Sequence, residues 1–331
     1  MDLVGAELAG GFPRSERLRK SLRRLEEKAS EGVVEAWRVV WEELLVDAGV
    51  QLGAGLRCVV DPMADWHDLL RPFVEAWRGV YADGLLRWFD NNFFYRVPVF
   101  VEEPSPQRFV LAPRVRSLRA VLPGWVRLKV VLPGPFTFAK LSRRAGDIGF
   151  WDLVGYLSDL LAVEAGKAVE AGASVVQVDE PILGDVSVTG EEAARAVGYI
   201  NRVLSAAGGA ETVLAVEYNV PRPEVYEAML EAKADYILVD AADYPDRAAG
   251  LLSSKGVGGH GLAAGVIDAR SIYLEPYSRV EELVSRLASA CKPPKLVITT
   301  NAGLELIPYR YAVAKAMLLG RHYARLAGEK G

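Results

Sequence analysis

From residue 124 onward, short apolar runs alternate with longer amphipathic stretches. The runs are VRLKVVL (126–132), SVVQVD (174–179), TVLAVEY (212–218), DYILVD (235–240), LAAGVI (262–267) and KLVITT (295–300). They are apolar at nearly every position, which predicts strands covered on both faces rather than on one. Between two of them, GFWDLVGYLSDLLAVEAGKAVEAG (149–172) sets Leu, Val and Ala at spacings of three and four and stops at Gly172, predicting a helix with one buried face. Strand, helix, strand is the rhythm of a parallel sheet. The first 120 residues are mostly helical in pattern, with LVGAEL (3–8) and LRCVVD (56–61) strand-like. Counting these two gives eight strands, so the expected fold is α/β, a single TIM (β/α)8 barrel over residues 1–331. It carries a helical excursion, assigned between strands one and two and to residues of about 62–120. A doubly wound open sheet is the alternative. No linker rich in Pro, Gly or Ser divides the chain, and no internal repeat is evident.

Composition narrows the function classes. The 331 residues are 51% hydrophobic and 25% charged, ordinary for a globular chain with a large core. Two cysteines, Cys58 and Cys291, cannot make a disulfide framework, and with three histidines metal chemistry is short of ligands. A net charge of −4 argues against a chain-wide nucleic-acid surface. No apolar run reaches the roughly 18 residues of a membrane span, and no basic-then-apolar leader opens the chain. A cytoplasmic protein with no membrane or nucleic-acid partner is expected. Scarce Asn, Gln, Cys and Met beside abundant Arg and Glu suit a thermophile.

Four segments could carry chemistry. GVGGHG (256–261) fits GxGxxG, but it follows a helical pattern and leads into a strand, the reverse of a dinucleotide loop, so a turn is expected. VVQVDEPIL (175–183) puts Asp179 and Glu180 at a strand's C-terminal end. Neighbouring strand residues point oppositely, so one carboxylate should face the barrel mouth and the other pack sideways. They are the candidate catalytic residues, able to hold an ammonium or act as a base; the alternative is a structural carboxylate bonded to loop amides. GFPRSERLRKSLRRLEEK (11–28) carries Arg14, Arg17, Arg19, Lys20, Arg23, Arg24 and Lys28, either an anion-binding face or a solvated helix with ion pairs to Glu16, Glu26 and Glu27. LLRWFDNNFFYRVPVF (85–100) mixes six aromatics with amides, an aspartate and two arginines, which lines a pocket or forms a packing seam.

Taken in order, GFPR with its basic helix, DPMADWHDLL (61–70), WFDNNFFYRVP, LPGPFTF (132–138), VVQVDEP (175–181), AAGVIDARSIY (263–273) and TTNAGLELIPY (299–309) resemble the markers of the N-terminal half of cobalamin-independent methionine synthases, over residues 11 to about 310. That family has two barrels. The resemblance implies that the first helps to bind the polyglutamate tail of methyltetrahydrofolate and that the second holds zinc and homocysteine. It places the tail's basic positions near Arg19 and Lys20, and matches Arg87 to a lysine before the WF dipeptide. Through the GFPR and WFDNN boxes it adds Arg14, Asp90 and Asn92 as substrate-binding candidates. Asp179 matches the position that holds the homocysteine amino group. The zinc positions read Val216, Tyr218, Asp240 and Ala302, of which one could ligate, so no metal is expected on this chain. The implied function is a methyltransferase-family subunit that makes methionine with a separate zinc-bearing barrel, its ligand a methyltetrahydrofolate polyglutamate or another methyl donor. The alternatives are an independent enzyme of the superfamily with another methyl carrier or small acid, and a scaffold without ligand.

Overall fold

The computed structural model describes residues 2–27 and 32–328; Lys28 of the basic segment and the two termini lie outside the described residues. The strands in chain order are β1 (Asp2–Glu7), β2 (Cys58–Val60), β3 (Trp77–Arg87), β4 (Phe94–Pro106), β5 (Arg127–Pro133), β6 (Arg143–Arg144), β7 (Val175–Asp179), β8 (Glu211–Val216), β9 (Tyr236–Asp240), β10 (Gly261–Ile267) and β11 (Lys295–Thr300). Eight pair in parallel in the order β1-β11-β10-β9-β8-β7-β5-β2. The two edge strands β1 and β2 lie against each other, so the sheet curls into a nearly closed TIM barrel. All eight sequence runs expected as barrel strands become barrel strands. β7 is buried at every position, and so are β9 and β10, because helices cover the outside and side chains fill the inside.

Strand alternation divides the core into two populations. Val175, Val213, Ala215, Tyr236, Leu238, Ala263 and Val297 cluster with Ala9 and Cys58 inside the barrel, while their sequence neighbours pack outward in the large helix–strand core. Continuing the inward columns by steps of two leads to Gln177 and Asp179, to Glu217, and to Asp240. The interior thus turns from apolar to acidic toward the strands' C-terminal ends.

The excursion differs from expectation. Helices Glu16–Glu26 and Val33–Gly53 do separate β1 from β2. Residues 62–120 instead follow β2, and they hold a β-hairpin, β3 with β4, between short helices Arg71–Ala76 and Leu111–Arg119. Aromatic and β-branched residues in FYRVPVFV favour the extended chain, and one face of the hairpin meets solvent, so no apolar run marks it. The glycine-rich GVGGHG forms a turn before β10, with Gly256, Gly258 and Gly259 all at positive φ, as its inverted context requires.

Candidate active site at the barrel mouth

Three loops dovetail over the C-terminal end of the barrel. A Cβ on Gly10 would lie 2.8 Å from Gly303 Cα, and one on Gly11 would lie 2.7 Å from the Pro62 carbonyl oxygen, so only glycine permits this closeness. Phe12 N donates to Pro62 O at 2.7 Å and Leu304 N to Gly11 O at 2.9 Å. Between these loops and the hairpin tip opens a cavity of about 580 Å³. Its walls include Phe12, Trp66, Trp88, Phe93, Tyr218 and Tyr309, and its acidic groups are Glu16, Asp68, Asp179, Glu217 and Glu305 against two bases, Arg14 and Arg19.

The deep end is carboxylate. Asp179 and Glu217 are each 4% exposed. Gln177 Nε2 donates to Asp179 Oδ1 at 2.7 Å and to Ala9 O at 2.7 Å, fixing the Asp179 side chain. Glu217 Oε1 and Glu305 Oε2 are buried with no hydrogen-bond partner among the described residues. Glu305 folds back over Gly303, whose absent Cβ leaves room for its carboxylate. Burial pushes Asp179 up to about 7, opposed by the Gln177 hydrogen bond and by Lys129. Burial, then the neighbouring Asp179 and Glu305, pushes Glu217 well above the ordinary carboxylate range; burial lifts Glu305 to about 7. Like charges in a dry cleft make each other costly, so the group is short of positive charge.

The hairpin tip closes one side. Trp88 Nε1 donates to the Tyr218 hydroxyl at 3.2 Å, and the Phe89 ring stacks on Tyr218 at 5.3 Å. Met63, Phe89 and Tyr218 are non-glycine residues at φ of 50°, 50° and 66°, all at or beside this cavity. Left-handed backbone costs roughly 1–3 kcal/mol at such residues and persists where surrounding packing over-determines a working site.

The expected site residues scatter. Asp179 lines the cavity, whereas Glu180 turns away and accepts from the Phe136 and Thr137 backbone N–H groups at 3.0 and 2.7 Å, bracing the PGPFTF turn. Its role here is structural. Arg14 lines the cavity but donates to Ala64 O at 3.1 Å and to Trp66 O, so its guanidinium is partly spent on the DPMADW loop. Arg19 lines the cavity from the basic helix. The expected patch of Arg19, Lys20 and Arg87 does not assemble. Lys20 is rotated about 100° from Arg19 and pairs at 2.8 Å with Glu16 one turn back. Arg87, at the end of β3, pairs with the solvent-facing Asp90 at 3.5 Å, and Asn92 is exposed; none of the three lines the cavity. The WFDNN box reaches the cavity through Trp88 and Phe93 instead. Glu217, Glu305 and Tyr309 escaped the sequence reading, although Glu217 was accessible by counting two residues beyond Ala215 in TVLAVEY.

The family's zinc does not fit the residues at this mouth. Val216 and Ala302 are buried and offer no ligand atom, Tyr218 is held by Trp88 and Phe89, and Asp240 Oδ1 accepts from Asn301 Nδ2 and from the Asp243 backbone N–H. Thiols and imidazoles lie elsewhere: Cys58 at the opposite end of the barrel, Cys291 on an outer helix, His67 beside Glu26, His260 on the carbonyls of Leu230 and Ala234, and His322 on that of Glu275. Among the described residues no group of three or more His, Cys, Asp or Glu is arranged to hold a metal ion, and no helix is long and apolar enough to cross a membrane.

The family model described as cobalamin-independent synthase, N-terminal domain, matches residues 73–292. A 5-methyltetrahydropteroyltriglutamate–homocysteine methyltransferase of Parvibaculum lavamentivorans is 27% identical over 262 residues, which are 77% of this chain and 33% of that protein, so the chain spans about a third of that relative's length. A methionine synthase of Saccharolobus solfataricus is 26% identical over 324 residues, 95% of this chain and 92% of that protein. In fold, a B12-independent methionine synthase from Shewanella sp. W3-18-1, solved in complex with selenomethionine, superposes with a TM-score of 0.82 at 19% identity, covering 99% of this chain and 98% of that one. A methyltransferase from Methanosarcina mazei superposes with a TM-score of 0.61 at 11% identity, covering 97% and 95%.

Proposed function

The chain belongs to the cobalamin-independent synthase N-terminal-domain family, and from that premise we propose that it serves methyl transfer to homocysteine, its barrel mouth holding the amino-acid substrate or product. The observation that carries this reading is the set of carboxylates Asp179 and Glu217, buried, and Glu305, half-buried, which line one cavity, two of them with an oxygen that has no partner among the described residues; the cavity's lining bases, Arg14 and Arg19, pair with none of the three, which leaves the group short of positive charge. An α-ammonium group supplies that charge. Asp179, oriented by Gln177, and Glu217 would hold it; Arg19 and Arg14 at the rim would face the α-carboxylate; the apolar and aromatic walls would take the thioether or thiol chain. The net change replaces the thiol hydrogen of homocysteine by methyl, while the carrier atom that loses the methyl gains the proton.

Homocysteine must lose its thiol proton to attack a methyl group, and none of the described residues at this mouth offers the thiolate or imidazole ligands of a zinc ion that would activate a thiol. A separate zinc-bearing barrel is therefore the proposed partner, with methyltetrahydrofolate polyglutamate or another methyl donor as the second ligand. Among the cavity's lining residues a polyglutamate tail would meet Arg14 and Arg19 as its bases against five acidic groups, so tail binding is assigned to the side of the mouth that carries the two arginines. The similarity to methionine synthases of nearly this chain's length supports the reaction class without a partner, so both arrangements enter the test.

The test is methionine formation from homocysteine and triglutamyl methyltetrahydrofolate by the purified chain, alone and mixed with a zinc-bearing barrel, together with calorimetric titration of L-methionine and L-homocysteine. Binding of either amino acid at one per chain, weakened by about 10–100-fold in Glu217→Gln, is expected, as is turnover in the mixture. Absence of amino-acid binding in both preparations overturns the assignment of the mouth.

A further inference from the structure

Helix Val33–Gly53 lies outside the barrel and contributes no residue to the cavity lining, yet one of its faces is polar and buried. Glu43, Asp47 and Gln51 recur every four residues, and all three lie inside the structure, Asp47 and Gln51 with no exposure at all. A buried polar stripe on an outer helix is costly unless each member is bonded. Each is bonded, and each to a different lip of the cavity. Glu43 Oε1 accepts from Ser15 N at 2.9 Å, at the N-cap of the basic helix and next to Arg14. Asp47 Oδ1 accepts from the Tyr309 hydroxyl at 2.6 Å, and the Tyr309 ring lines the cavity, tilted against Phe12 at 6.5 Å. Gln51 Oε1 accepts from Val60 N and its Nε2 donates to Val60 O, both at 2.9 Å, where β2 enters the DPMADW loop.

We propose that Glu43, Asp47 and Gln51 form a positioning stripe that sets the three lips of the cavity in register, and that Asp47 with Tyr309 governs how tightly the mouth holds its amino-acid ligand. The proposal rests on the reading of the mouth as an amino-acid site. Asp47 acts through Tyr309, whose ring has no other hydrogen-bonding tether to the helix; without the bond the ring is free to swing about its side-chain torsions into the cavity. Asp47 Oδ2 has no partner among the described residues, and burial lifts the group to about 7, so a single bond to Tyr309 is what this costly carboxyl is kept for. Glu43 lies one turn before it and raises it further.

The experiment is a double-mutant cycle read by L-methionine affinity and by thermal stability. Asp47→Ala and Tyr309→Phe are each expected to weaken binding about tenfold, the value of one lost hydrogen bond, and the double variant to be no weaker than either single. Asp47→Asn, which still accepts through its amide oxygen, is expected to recover most of the affinity. Ser158→Ala removes a remote bond to Tyr199 O and serves as the stability control: it should lower the melting temperature and leave the affinity alone. Additive losses in the cycle, or variants that melt earlier but bind methionine as the parent does, would overturn the positioning role. Should the parent chain bind neither methionine nor homocysteine, the reading of the mouth fails by itself. Hydrogen exchange then decides the stripe: faster exchange over residues 304–312 in Asp47→Ala supports it, and unchanged exchange there refutes it.

Discussion

At the N-terminal end of the barrel, Glu7 is buried against Lys129, whose Nζ lies 2.9 Å from Glu7 Oε1 and 2.9 Å from Leu8 O, and Arg127 reaches Glu211 at 2.7 Å beside it. At the C-terminal end, Asp179, Glu217 and Glu305 share a larger cavity, about 580 against 240 Å³, and among the described residues none of the three has an ion-pair partner. Lys129 lowers Glu7 despite its burial, whereas burial lifts the mouth acids. One scaffold thus spends its buried charges in two ways. A matched pair contributes to a defined fold, and an unmatched group is retained at a cost in stability, which is how binding sites are recognised physically.

The largest expected effect comes from breaking the matched end. Lys129→Met strands Glu7 in the interior and should cost ~3–5 kcal/mol of stability by denaturant unfolding. Glu217→Gln relieves repulsion at the other end, so its stability should be unchanged or higher, while methionine affinity falls by about 10–100-fold. A mouth variant as destabilising as the base variant would erase the distinction between the two ends.

Next in size is the response to pH, where the ends have opposite signs. The mouth acids bind protons more tightly folded than unfolded. Their effect is absent well below the unfolded carboxylate range, and they subtract stability as pH rises from about 4 to about 7, on the order of a few kcal/mol in all. Glu7, held below its usual value, adds stability above that range and loses it as pH falls. Urea unfolding between pH 4.5 and 8 should show a downward slope that Glu217→Gln flattens; an unaltered slope in that variant would place the shifted groups elsewhere.

The smallest effects separate the rim from the surrounding surface. Arg19→Ala should weaken methionine binding by about 3–10-fold through the loss of one charge-assisted bond, whereas Lys20→Ala and Arg87→Ala should leave it within about twofold. Equal losses across the three would restore the patch that the structure takes apart.

The barrel was legible because each doubly covered strand is a continuous apolar run, and all eight runs mark strands. The hairpin was not, since Tyr81, Leu85, Leu86 and Phe94 face solvent and blur the pattern that burial imposes. At the site, Asp179 stood out through VVQVDEP, but Glu217 sits inside what reads as a strand, and Glu305 in NAGLELIP gains its meaning only when Gly303 lets it fold over the mouth. The bond from Asp47 to Tyr309 joins residues 262 apart in sequence, and no local pattern announces it. Basic residues misled for a related reason: composition counts the cations of the N-terminal helix together, whereas helical geometry sends Arg19 toward the cavity and Lys20 into an ion pair.

The most direct measurement of whether the mouth acids await a cation is titration of L-methionine at pH 7 by calorimetry in two buffers of different ionisation enthalpy. Carboxyls lifted to about 7 are partly protonated there, and an arriving ammonium favours their charged form, so binding at one per chain with net proton release is expected, the release smaller in Glu217→Gln. Binding without proton release, or with proton uptake, would contradict the account, and so would no binding at all.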